Sequence, residues 1–284
     1  MLTPELRGRT GQIVSGRYEL LDILGSGGQG VVYRALDRID GDHVALKVLG
    51  CNDPDACERM FREALVMSQL QGTAAVRVLH QARTNDGVMA LVMELLQGED
   101  LQVRLLAREK AGIVADKAFL RAVFEPIVQT LEAAHERGIV HRDIKAENVF
   151  LVSEAHGGGV RLLDFGFAKL LRAPAITAPE VVAGSPSYFA PEVWREGSSN
   201  VGTSVDVYAL GVAIFRTLAG RLPFTGDPLG LMRAALDEKR PSLRAFRPDL
   251  SPDVDAWVSQ ALALRPQNRF QRVTALWRAL MTCF

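Results

Sequence analysis

His141-Arg142-Asp143-Ile144-Lys145-Ala146-Glu147-Asn148 gathers a histidine, an arginine, two carboxylates, a lysine and an amide into one short stretch. An ordinary solvated loop carries one or two such groups. The stretch follows a long apolar run with helical spacing, and Asp164-Phe165-Gly166 comes one short strand later. Asp143, Asn148 and Asp164 together offer a proton acceptor for an incoming hydroxyl and two oxygen ligands for Mg²⁺. Phosphoryl transfer requires that set.

Composition narrows the alternatives. Lys plus Arg and Asp plus Glu each number 33, so no global field draws the chain to nucleic acid or to an anionic membrane. Cys51, Cys57 and Cys283 are odd in number and lack metal-ligand spacing, and the histidines form no H-x-x-x-H pair. A reduced, cytoplasmic setting is expected, with no metal site built from imidazoles. Residues 1–16 carry Arg7 and Arg9 but no apolar core, so no signal peptide is expected. The longest apolar run, residues 205–220, is interrupted by Asp206 and Arg216 and is too short for a bilayer. It reads as a buried helix, and no membrane partner is expected within this chain.

Upstream, residues 18–48 read as strand, glycine turn, strand, strand. Gly25-Ser26-Gly27-Gly28-Gln29-Gly30 forms the turn. Glycines there let backbone N–H groups approach a ligand, because no Cβ intervenes. The same pattern fits a flexible hairpin or a dinucleotide-binding turn. The latter opens a helix, whereas β-branched Val31 and Val32 continue a strand. A third strand at 43–48 carries Lys47, either an edge charge that blunts strand pairing or a phosphate ligand. Residues 55–71 have helical apolar spacing and contain Glu63, a carboxylate available to Lys47. Residues 76–80 and 89–93 read as two more strands around an Asn85-Asp86-Gly87 turn. A lobe of five strands and one helix results. Residues 117–138 read as a long helix ending at Gly138, with Pro126 bending or breaking its hydrogen-bond ladder. Strands at 149–152 and 160–163 bracket the turn at 156–159 and aim Asn148 and Asp164 at one point.

From about Tyr18 to Leu280 the chain resembles the eukaryotic-like serine/threonine protein kinases, and their bacterial branch in particular. Beyond the segments above, the resemblance rests on Gly184-Ser185-Pro186-Ser187-Tyr188-Phe189-Ala190-Pro191-Glu192, Asp206-Val207-Tyr208-Ala209-Leu210-Gly211 and Arg265-Pro266-Gln267-Asn268-Arg269. It implies an α+β, two-lobed protein kinase fold with a five-stranded antiparallel N-lobe sheet, one helix beside it, and a mainly helical C-lobe. An extension at 1–17 would precede a kinase domain at 18–284, with N-lobe 18–93, hinge 94–98 and C-lobe 99–284. Asp143 would accept the substrate proton and Lys145 would neutralise the γ-phosphoryl. Lys47, paired with Glu63, would grip the α- and β-phosphates. Asn148 and Asp164 would hold Mg²⁺, with Mn²⁺ as a substitute. ATP would contact Gly25, Gly27, Gly30, Val32, Ala45, Lys47, Met93, Glu94, Leu96, Asp100 and Phe150. In that set Met93 guards the back of the pocket, hinge backbone meets the adenine edge, and Asp100 reaches the ribose. Lysine two residues after the aspartate resembles the serine/threonine pattern, so the implied partners are proteins with Ser or Thr acceptors.

Three departures stand out. Ala146 replaces a common proline, Ser185 replaces a usual threonine, and a His-Pro-Asn turn before Val76 is missing; none removes a catalytic group. Glu192 is expected to pair with Arg269. Arg142 and Lys169 suggest a basic pocket for a phosphorylated activation loop. Thr177 is the one hydroxyl between Lys169 and Gly184, hence the expected autophosphorylation site, with a transient dimer as the route. Glu180 is the alternative occupant of that pocket. A pseudokinase scaffold is a competing function, opposed by the complete set Lys47, Glu63, Asp143, Asn148 and Asp164. A small-molecule phosphotransferase is another, opposed by the 185–192 segment.

Overall fold

The computed structural model describes residues 8–27, 30–50, 68–165, 185–197, 201–237 and 239–284. The chain divides into two compact units, Met1–Gln97 and Gly98–Phe284.

In the first unit, six strands form one antiparallel sheet: β1 (Ile13–Val14), β2 (Tyr18–Gly27), β3 (Gly30–Asp37), β4 (His43–Leu49), β5 (Val78–Arg83) and β6 (Met89–Glu94). Their spatial order is β1-β2-β3-β4-β6-β5. Period-two alternation explains β3, where Val31, Tyr33 and Ala35 are buried and Val32, Arg34 and Leu36 are partly exposed. The buried set packs with Leu20, Leu46, Val48, Ala90 and Val92. Each Val or Leu among them contributes about 1.5–3 kcal/mol when fully buried.

Five of these strands match the sequence expectation, and β1 is a sixth. It comes from residues expected to lie ahead of the domain. Arg9 forks onto Asp86 at 2.9 and 2.6 Å, and the Ser15 N–H and hydroxyl both donate to Arg83 O, at 3.2 and 3.1 Å. Two residues are too few to display an alternation, so the strand leaves no pattern in the sequence. Strand β5 lies two to three residues beyond the expected 76–80. At its start the Arg77 N–H donates to Glu94 Oε1 at 2.8 Å instead of to a ladder partner. The helix expected over 55–71, with Glu63, lies outside the described residues except for a 3₁₀ turn at Ser68–Leu70.

The second unit carries a small antiparallel sheet, β7 (Gly98–Asp100), β8 (Val149–Val152) and β9 (Val160–Leu162), in the order β7-β8-β9. Its helices among the described residues are α1 (Leu101–Lys110), α2 (Lys117–His135), α3 (Pro191–Glu196), α4 (Ser204–Ala219), α5 (Pro228–Asp237), α6 (Asp253–Ala261) and α7 (Val273–Met281). Asp100 and Asp116 cap α1 and α2 by accepting from Val103 N and Phe119 N, at 2.9 and 2.7 Å. Helix α2 continues through Pro126, which leaves one bond of its ladder unmade; the Thr130 hydroxyl donates to Pro126 O at 2.8 Å. Helix α4, buried from Val205 to Leu218, is the core of this unit. It ends on Gly220 at φ 69°, as the apolar run at 205–220 implies.

Candidate active site

In the first unit, register decides which residues share a face. Val32 lies opposite Lys47, and Lys47 opposite Leu91; Ala45 lies opposite Met93. Cross-strand partners point the same way. Val32, Ala45, Lys47 and Met93 therefore occupy one face, and Val31, Leu46, Val48 and Val92 pack on the other. Lys47 is buried, 4% exposed, which excludes the reading of a solvated edge charge. Glu94 lies at the end of β6, its N–H donating to Arg77 O at 3.0 Å, and Leu96 follows in the half-buried segment beyond.

The three predicted glycines differ. Gly30 has φ 140°, and a Cβ there would sit 2.0 Å from Val48 O. The fold itself demands that glycine. Gly25 and Gly27 have no atom within 4 Å of an added Cβ. Nothing in the described chain requires glycine at either position. Gly28 and Gln29 lie outside the described residues.

In the second unit, the 141–148 loop is held from beneath by Asp206, fully buried near the start of α4. Its Oδ2 accepts from His141 N at 2.8 Å and its Oδ1 from Arg142 N at 2.8 Å. His135 Nε2 lies 2.8 Å from Oδ2. Burial alone would push this carboxyl up, but the bonds from His135 and the Arg142 N–H hold it below the usual carboxylate range. Arg142 adopts φ 64°, a left-handed backbone costing about 1–3 kcal/mol outside glycine. The two N–H bonds to Asp206 hold it there.

His141 is fully buried and packs on Phe165, with ring centroids 4.4 Å apart. Its Nδ1 accepts from Asp143 N at 3.2 Å, so Nε2 bears the proton and donates to Leu163 O at 3.0 Å. Burial pushes its pKa below the ordinary 6.5. The neutral ring thus joins the loop to the segment just after β9 that carries Asp164.

Asn148 Nδ2 donates to Asp143 O at 2.7 Å and to Asp143 Oδ2 at 3.0 Å. Lys145 Nζ lies 3.3 Å from the same Oδ2. Leu163 N donates to Asn148 O at 2.8 Å, which brings Asp164, at φ 45°, beside Asn148 in the chain path. Phe150 pairs across β8 with Asp100 and Arg161. One Asp100 oxygen already caps α1.

Glu192 and Arg269 form the expected pair, bidentate at 2.7 and 2.6 Å. Arg269 also donates to Ala263 O at 2.8 Å and covers the Tyr208 ring at 5.0 Å. Glu63, Gly166, Lys169 and Thr177 fall outside the described residues. Sequence reasoning missed His135, Asp206 and Tyr188 as positioning groups. A signal existed for Asp206: a carboxylate inside an otherwise apolar helix must find partners.

Among the described residues, no group of three or more His, Cys, Asp or Glu could hold a metal. A hard cation here would need an amide oxygen. Asn148 suits that need, since its nitrogen is committed to Asp143 and Oδ1 remains the acceptor. Also among the described residues, no helix is long and apolar enough to cross a membrane.

A lysine-bearing sheet face and a loop of paired carboxylate, amide and lysine define the kinase class of architecture, and the comparisons with known proteins agree. The family described as protein kinase domain matches residues 18–279. The chain belongs to the protein kinase domain family. It is 32% identical to the serine/threonine-protein kinase PrkC of Bacillus subtilis over 96% of this chain and 41% of PrkC. It is 35% identical to the serine/threonine-protein kinase PknL of Mycobacterium tuberculosis over 93% of this chain and 65% of PknL. The chain thus spans less than two thirds of these relatives. The PknI kinase domain of Mycobacterium tuberculosis superposes with a TM-score of 0.74 at 27% identity, covering 97% of this chain and 99% of that one.

Proposed function

We propose that this chain is an ATP-dependent protein serine/threonine kinase that transfers the γ-phosphoryl group to Ser or Thr hydroxyls of proteins. The observation that carries the reading is the Asp143–Asn148–Lys145 cluster. Asn148 and Lys145 orient one carboxylate, 8% exposed, so that its remaining lone pairs serve an incoming hydroxyl. Asp143 accepts that proton as the bond to phosphorus forms. Lys145 offsets charge on the transferring group, and Lys47 holds the α- and β-phosphates with Glu63 as its partner. Asn148 Oδ1 and Asp164 would hold Mg²⁺ or Mn²⁺, which when bound neutralises charge on the phosphate oxygens. Gly25 and Gly27 leave room for phosphates against bare backbone. Positioning and electrostatics supply the rate, so each group matters through its geometry.

Autophosphorylation at Thr177 through a transient dimer, the protein substrates and a cytoplasmic setting belong to the same proposal. The setting rests on the odd cysteine count without paired-thiol spacing. The test is incubation with labelled ATP and Mg²⁺, with a Ser/Thr peptide library and a metabolite panel as acceptors. Wild type should label itself and peptides. Asp143→Asn should lose about a thousandfold in rate, the equivalent of about 4 kcal/mol. Labelling of metabolites alone, or an Asp143→Asn enzyme as fast as wild type, would overturn the reading.

A further inference from the structure

The Ala146 departure acquires a meaning in the structure. Ala146 is fully buried between Lys145 and Asn148 and opens the 3₁₀ turn Ala146–Asn148. Lys145 before it is extended, at φ −162° and ψ 165°. A proline at 146 would suit that backbone, since the residue ahead of proline prefers extended geometry and the first position of a helical turn needs no N–H. Alanine differs by supplying an N–H. That N–H donates to the Tyr188 hydroxyl at 3.4 Å.

Tyr188 closes the 3₁₀ turn Pro186–Tyr188 in the 185–192 segment and is 7% exposed. Burial pushes its hydroxyl up to about 12, so it stays a neutral phenol. A buried phenol oxygen needs a partner, and Ala146 N is the one the described residues provide. Tyr188 and Asp143 also line one cavity, together with Phe189, Val193 and Val205. The bond therefore joins the loop that bears the base to the segment flanking it on the acceptor side.

We infer that the Ala146–Tyr188 hydrogen bond sets the register of the 185–192 segment on the catalytic loop, making both positioning residues for the acceptor peptide and not for the nucleotide. This rests on the kinase reading. Tyr188→Phe removes the hydroxyl, Ala146→Pro removes only the donor, and Ala146→Ser retains it. With a peptide substrate, Tyr188→Phe and Ala146→Pro should each raise the peptide KM about fivefold, the factor matching about 1 kcal/mol. The KM for ATP should stay within twofold, and Ala146→Ser should behave as wild type. The double variant should match either single one, because one bond is lost in all three. Hydrogen exchange supplies a readout that needs no activity: amides of residues 185–197 should exchange faster in Ala146→Pro than in Ala146→Ser. Additive double-variant losses, an equal rise in both KM values, or unchanged exchange would overturn the inference. A wild type without phosphoryl transfer but with the exchange difference would instead refute the kinase reading and leave this coupling standing.

Discussion

At Gly30, a Cβ would lie 2.0 Å from Val48 O, while Gly25 and Gly27 face open space. The three glycines of one motif therefore separate experimentally. Gly30→Ala should destabilise the first unit by about 2–4 kcal/mol with or without nucleotide. Gly25→Ala and Gly27→Ala should leave the denaturation midpoint nearly unchanged while weakening ATP binding. Urea melts beside a nucleotide titration check this, and a stable Gly30→Ala protein would contradict it. His141 offers a second residue-level prediction. Burial lowers its folded-state pKa below 6.5, so below that pH the unfolded chain binds a proton that the folded chain refuses. Its contribution to stability is thus complete above 6.5 and is lost as pH falls. His141→Phe keeps a ring against Phe165 but cannot titrate. Its melting midpoint near neutral pH should fall with its two hydrogen bonds, and its decline toward pH 5 should be shallower than that of wild type. Parallel declines would show that His141 does not titrate. Asp143, Lys145 and Asn148 were legible because their chemistry is contiguous in sequence. Asp206 was legible only as a carboxylate in an apolar helix that needs partners; which ones was not, since two of them are backbone N–H groups that no side-chain pattern reports.

Elements follow the same logic of local against distant cause. Strand β3 could be read because buried and half-buried residues alternate along it, and β2, β4 and β6 because they are apolar runs of six to ten residues bounded by turn signals. Strand β1 could not, because Arg9 and Asp86, 77 positions apart in the chain, hold it. Arg9→Ala should cost about 1 kcal/mol, since Asp86 is 55% exposed and stays solvated without its partner. Deleting residues 1–17 should cost more, because it uncovers buried Tyr18 and Leu20. Thermal melts of the two variants test the order. The Glu192–Arg269 pair that links α3 to the segment after α6 lies at the opposite extreme of burial, with the Arg269 side chain at 0% exposure. Arg269→Met should cost about 3–5 kcal/mol, because it strands the Glu192 carboxylate. A loss below about 1 kcal/mol would place this pair with exposed ones. Pro126 supplies no N–H to the carbonyl four residues before it, yet α2 runs on to His135 because Phe124, Ile127, Val128 and Leu131 around it are buried.

At the scale of the molecule, the proposed nucleotide and cation ligands fall in both units, and ligand linkage tests each set without assuming turnover. Lys47 with Gly25 and Gly27 belongs to the first unit, Asn148 and Asp164 to the second. A ligand present at a hundredfold excess over its Kd stabilises the folded state by about 2.7 kcal/mol. For a chain of this size that is about 5 °C in Tm. ATP with Mg²⁺ should therefore raise Tm by about that much, and ATP with EDTA by less, if Asn148 and Asp164 hold the cation as proposed. Asn148→Ala and Asp164→Asn should erase the difference between the Mg²⁺ and EDTA melts while keeping the shift due to ATP alone. Lys47→Met should shrink the shift in both conditions, because its proposed contact is with phosphate and not with metal. The pattern, not the size of any one shift, carries the assignment. If the Mg²⁺ increment survives in Asn148→Ala and Asp164→Asn alike, the cation is held elsewhere, and the oxygen pair read from the sequence has another purpose.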